Sequence, residues 1–203
     1  VTHRPRRATS SSSCDGLPVT IAEYDALPVD NELRREIEDG CLLERERPGT
    51  SHAKALHRLT AQLDAQLPDR WGLYPEVVVE LPVGASARRV PSLIVTSAER
   101  DVPRVPASDV LLAVEIVSAG ESALREYAKK PTEYAANHIP MTCVVDIQRR
   151  PSALTVYRID PIDDTGRYQL EPPASGVVTV AVAGTAITVA LDDLLVLRQR
   201  NRC

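Results

Sequence analysis

An α/β domain built around a buried sheet is the fold class this 203-residue sequence predicts, on three observations. Val90 to Val95 and Val110 to Val117 are nearly continuous apolar runs, the pattern of strands covered on both faces. Ala53, Leu56, Leu59, Leu63 and Leu67 recur at helical spacing, and a second helical stretch covers Ser122 to Ala136. Beyond it, short apolar runs separated by turns make a β-rich C-terminal part.

Residues 1–16 are Arg- and Ser-rich and read as a disordered basic arm, with residues 199–203 as a tail and 17–198 as one domain. Thr20-Ile21-Ala22-Glu23 is a capping box, which predicts a short helix from Ile21 to Ala26. Asp39-Gly40, between Arg35–Glu38 and Cys41–Glu44, predicts a tight hairpin. Thr50 and Ser51 are candidate N-caps for the Leu-rich helix, and Pro68 marks its stop. Val77 to Leu81 predicts a strand, and Gly84 to Ala87 a turn. Pro131 lies inside the second helix and predicts a kink or break there. Strands are expected at Met141–Ile147, Ala153–Ile159, Tyr168–Leu170, Val177–Val182 and Ala186–Val189. Turns are expected at Asp163–Gly166 and Ala183–Thr185, and a short helix at Asp192–Leu195.

Aromatic residues are scarce, with no Phe and one Trp, so the core must be built from Val, Leu, Ile and Ala. An Arg-rich, Pro-rich composition fits a GC-rich bacterial genome. A formal net charge of -4 gives no global pull toward nucleic acid, so any DNA contact needs a local basic patch. Arg70, Arg88 and Arg89 offer one such rim; the plainer reading of the Arg pair is a solvated turn, as it is for Arg149-Arg150. Cys14, Cys41, Cys143 and Cys203 form no Cys-x-x-Cys pair and have no His at zinc-ligand spacing. Isolated thiols suit a reducing cytoplasm, with Cys143 as a small core residue. No run approaches a membrane span or a signal-peptide core, so no membrane partner is expected.

The chemistry concentrates in three segments. Glu115 sits in an apolar strand, where a charge is costly unless it is paired or metal-bound. The plain alternative is a solvent-facing Glu or one paired with an Arg. Val90-Pro91 leads into the neighbouring strand, and Lys130 follows on the next helix. Metal-assisted phosphodiester cleavage needs carboxylates for a hard cation and a Lys to orient the water or stabilise charge. Asp192-Asp193 reads instead as a helix start, and Asp146 as structural.

These residues, in their order and spacing, resemble the Uma-type family of restriction endonuclease-like proteins within the PD-(D/E)XK nuclease-like superfamily. The matching segments run from about Leu17 to Tyr168. They are Glu36–Gly40, His52 at a helix start, Arg89-Val90-Pro91, Glu115–Ser118, Lys130–Ala136, Ile139-Pro140 and Val145-Asp146. The resemblance implies a restriction-endonuclease-like mixed central sheet flanked by helices. It implies magnesium or manganese held by Glu115 and Glu36, a catalytic set of Glu115, Lys130 and, at the first-strand position, Ser92, and a cleft lined by Glu36, His52 and Ser118. It also implies DNA as partner and a homodimer. Four departures stand out. The family's Asp after Val-Pro is Ser92 here, a neutral and poor magnesium ligand; His138 replaces a Gly, Thr142-Cys143 replaces Tyr-Trp, and the stretch between Ser118 and Lys130 is one residue longer. Three readings follow: a divergent or impaired nuclease, a non-catalytic binding protein, or a scaffold repurposed for a small molecule.

Overall fold

The computed structural model describes residues 16–28, 30, 32–85, 87–99, 101–117, 125–159 and 167–195. The N-terminal arm, the Asp163–Gly166 turn, Ser118 and the C-terminal tail lie outside them.

The N-terminal part is β1 (Leu17–Pro18), α1 (Ile21–Asp25), β2 (Leu33–Glu38) and β3 (Cys41–Glu46). The capping box forms as expected: Glu23 N–H donates to Thr20 Oγ1, and Thr20 N–H donates to the Glu23 carboxylate. Asp39 and Gly40 both take positive φ, 50° and 80°, and close the β2–β3 hairpin. The long helix α2 (Thr50–Asp64) starts from Gly49, which has no side-chain cap. This corrects the expected Thr50 or Ser51 cap: both residues are already helical.

Next come β4 (Gly72–Pro75), β5 (Val78–Glu80), β6 (Arg88–Arg89), β7 (Leu93–Thr96), β8 (Arg104–Pro106) and β9 (Val110–Val117). A π-helical turn, Arg125–Lys129, leads into α3 (Lys130–Ala136). Pro131 sits in the first turn of α3, where its missing N–H costs nothing, and the wider turn precedes it. The predicted break therefore falls at the start of the α-helical segment. The chain continues through β10 (Met141–Asp146), β11 (Ala153–Ile159), β12 (Tyr168–Leu170) and β13 (Ala174–Ser175). The hairpin β14 (Val177–Val182) and β15 (Thr185–Ala190) follows, and a 3-10 turn over Asp192–Leu194 closes the described chain.

Among the described residues the strands form three sheets. One runs β1-β3-β2-β6-β5-β8, another β12-β11-β10-β9-β7-β4 with β13 on β11, and β14 pairs with β15. Both larger sheets are mixed. β9 and β10 are parallel, as are β5 and β8, while β7 and β9 are antiparallel. A parallel pair needs a crossover, and here α3 supplies it. That connection is what carries Lys130 and Tyr134 back over β9.

Alternation along β9 separates its two faces. Leu112, Val114 and Ile116 pack with Leu59 and Leu63 of α2 and with Val180 and Ile187 of the hairpin. Ala113 packs on the other side with Ile94, Tyr134 and Ile139. Glu115 shares this second face by its period. The sheet is thus covered on both sides, as the apolar runs predicted. Among the described residues no helix is long and apolar enough to cross a membrane. Cys143 is a buried free thiol, but Cys41 is disulfide-bonded, which corrects the expectation of isolated thiols.

Candidate active site: a buried ammonium among carboxylates

Lys130 is fully buried. Its Nζ lies 3.0 Å from Glu115 Oε2, 3.2 Å from Glu126 Oε2 and 3.5 Å from Glu36 Oε1. These carboxylates come from β9, the π-helical turn and β2. Burial alone would lower the Lys130 pKa, but Glu115, Glu36 and Glu126 outweigh it and hold the ammonium charged well above its ordinary range. Tyr134, one turn further along α3, donates its hydroxyl to Glu115 Oε1 at 2.6 Å.

The two principal carboxylates titrate in opposite directions. Burial pushes Glu36 up, but Lys130 and Arg89 overcome it and bring the group down to about 2. Glu36 Oε1 also accepts the Val90 N–H at 2.8 Å. For Glu115 burial prevails: the carboxyl is raised to about 8 despite Lys130, and neighbouring Glu126 adds to the rise. Glu115 is therefore a strong candidate to hold a proton at neutral pH.

A second set of ion pairs braces the first. Arg89 is wholly buried and grips Glu133 through two bonds of 2.7 and 2.8 Å. Its Nη1 reaches Glu38 Oε2 at 2.9 Å and Glu36 Oε2 at 3.4 Å. Glu38 is also held by Arg125 at 2.7 Å and Lys129 at 3.0 Å. Arg89 is thus no solvated turn residue; this corrects the plainer reading of the pair. Arg88 is buried too, with Glu80 at 3.1 Å.

Ser92 directly precedes β7. Leu93 pairs with Val114, so the continuing register sets Ser92 against Glu115. Its Oγ accepts the Ile116 N–H at 3.1 Å. His52 on α2 is buried, and burial together with Arg34 lowers its pKa to about 4. The structure therefore brings Glu36, Ser92, Glu115 and Lys130 together, within electrostatic range of His52. All five are buried, so they line no open cleft in this conformation. Ser118 lies outside the described residues.

Sequence reasoning missed Glu126, Glu133 and Tyr134 as parts of this cluster. Glu126 had a signal: it stands four residues before Lys130, a spacing that joins side chains along a helical stretch. The pairing of Glu133 with Arg89 spans 44 positions and leaves no local trace.

The magnesium that the resemblance implies does not fit this donor set. Magnesium requires near-octahedral oxygens at roughly 2.0–2.1 Å. Here an ammonium occupies the point where the carboxylates converge, and the one oxygen at position 92 is engaged by a backbone N–H. Among the described residues no group of three or more His, Cys, Asp or Glu is arranged to hold a metal ion. No catalytic step through a metal follows from this arrangement.

The family model of Uma2, described as a putative restriction endonuclease, matches residues 21–190. The chain belongs to the Uma2 family. A solved structure of a putative nuclease of the DUF820 group from Anabaena variabilis is similar in fold, with a TM-score of 0.64 at 16% identity. The match covers 88% of this chain and 98% of that one. At that identity the likeness shows the fold alone, and it agrees with the mixed, nuclease-like α/β architecture. A comparison with curated proteins finds no match. Within this Uma2 chain, Asp146 has a structural part: it accepts the backbone N–H groups of Gln148 and Arg149 and the hydroxyl of Tyr127.

Proposed function

We propose that this Uma2 chain is a nuclease-fold protein whose magnesium-dependent phosphodiester hydrolysis of DNA is impaired. One observation carries the reading: the Lys130 ammonium stands among Glu36, Glu115 and Glu126, while position 92 supplies a hydroxyl in place of a carboxylate. A cation resident in the protein itself already balances the charge that a divalent ion would balance. In a competent site, magnesium or manganese would be held by Glu115, Glu36 and an acidic residue at position 92, with Lys130 turned toward the scissile phosphate. DNA is the partner this reading names, engaged by a homodimer of the single 17–198 domain.

The test is nicking of supercoiled plasmid at low salt, where phosphate contacts are least screened. With magnesium or manganese, the wild type should give no more nicked product than Glu115→Ala. Ser92→Asp should introduce nicking that chelator removes and that Glu115→Ala, added to it, abolishes. Robust wild-type nicking that Glu115→Ala eliminates would show the native site to be competent and overturn the reading.

A further inference from the structure

We infer that a second site, separate from the buried charge cluster, binds a flat aromatic ring carrying an anionic group. A cavity of about 330 Å³ lies between the π-helical turn with α3 and the strands β11 and β12. Tyr127, Pro131 and Thr132 form one wall, Tyr157 and Tyr168 the other, and Arg167 stands among the lining residues. The volume is at the lower end of small-molecule sites, which run to roughly 300–1,000 Å³. None of Glu36, Glu115, Glu126 and Lys130 lines it.

The polar groups of this cavity dictate the ligand class. Each tyrosine hydroxyl is already committed: Tyr127 donates to Asp146, Tyr157 to the Tyr127 carbonyl, and Tyr168 to the Ile139 carbonyl. Thr132 donates to the Ala128 carbonyl. A tyrosine with its one proton spent offers a ring, not a donor, to a ligand. The Tyr157 and Tyr168 rings stand tilted by 57° with centroids 6.1 Å apart, so a guest meets aromatic surface on more than one side. Arg167 is the exception. It is exposed, and among the described residues no carboxylate lines the cavity and no acidic group pairs with it. Aromatic walls with one guanidinium that no described carboxylate neutralises select an aromatic anion over a neutral ring or an aliphatic acid.

Two sources share this chemistry, an aromatic carboxylate and a nucleoside monophosphate, and calorimetry on the whole protein separates them. The probes are indole-3-carboxylate and adenosine monophosphate, with indole and adenosine as neutral counterparts. At least one anion should bind saturably, and whichever binds identifies the source. Arg167→Ala should weaken that anion roughly tenfold while changing its neutral counterpart less than about twofold. Thr132→Trp, at an exposed helix position, should fill the cavity and abolish binding with an unchanged circular dichroism spectrum. Absence of saturable binding by both anions would overturn the inference. So would binding that survives Thr132→Trp, or an equal loss of anion and neutral probe in Arg167→Ala.

Discussion

Lys130→Met lowers the stability of this protein by roughly 3–5 kcal/mol, the range expected when one member of a buried ion cluster is removed. Methionine keeps nearly the length and volume of lysine, so the packing loss is small and the lost charge dominates. Glu36, Glu115 and Glu126 then face one another without the ammonium that holds them together. Arg89 still touches Glu36, but it is shared with Glu38 and Glu133 and cannot replace three contacts. Protonation relieves part of the repulsion, so the deficit should be smaller at pH 5 than at pH 8. Lys129→Met is the control. Its ammonium is about one-third exposed and pairs with Glu38 and Asp39 at the surface, where such pairs contribute at most about 1 kcal/mol. Urea unfolding followed by circular dichroism measures both. Equal costs for the two variants would mean that Lys130 does not hold the cluster.

The second large effect is a loss of stability as the pH rises from 6.5 to 8. Glu115 binds its proton up to about pH 8 in the folded protein, against an ordinary value of 4.5 in the unfolded chain. Its contribution is complete below 4.5 and is lost as the pH climbs through about 8. His52 works in the other direction. Its folded value of about 4 lies below the ordinary 6.5, so its contribution is present above 6.5 and lost as the pH falls toward 4. Glu36, held at about 2, likewise contributes above 4.5 and loses that contribution as the pH falls toward 2. Between about pH 4.5 and 6.5 the Glu115 and His52 contributions change in opposite senses and nearly cancel, so the three together give a broad stability maximum around pH 5–6, with a decline toward acid from Glu36 and His52 and toward alkali from Glu115. Across pH 6.5–8 the Glu115 term amounts to roughly 1–2 kcal/mol. Glu115→Gln removes the proton that is being released, so its stability should be flat over that window. A variant that retains the alkaline decline would assign it to another group.

Much of this architecture was legible in the sequence because the signals were local. The nearly continuous apolar run of Val110–Val117 announced a doubly covered strand, Asp39-Gly40 announced the hairpin, and Thr20 with Glu23 announced a capped helix. Glu115 stood out because its neighbours were apolar, and Lys130 and Ser92 stood out by their place in the resemblance. The remainder depends on contacts between distant segments. Arg89 looked like a turn residue because its partners, Glu36, Glu38 and Glu133, lie on a different strand and a different helix. The short strand Arg88–Arg89 takes its extended form from pairing with Ile37 and Val79 rather than from its own propensity. Likewise, nothing in the spacing of Lys130 and Glu115 says whether an ammonium or a divalent ion occupies the space between carboxylates; side-chain geometry decides that.

Manganese titration by calorimetry, wild type beside Ser92→Asp, tests most directly whether Lys130 serves as the resident cation. An aspartate at position 92 would add a carboxylate opposite Glu115, and mutual repulsion in a buried setting would favour uptake of a divalent ion. The expected result is no saturable heat for the wild type at millimolar manganese and a saturable isotherm for Ser92→Asp. Tight, stoichiometric manganese binding by the wild type would contradict the account.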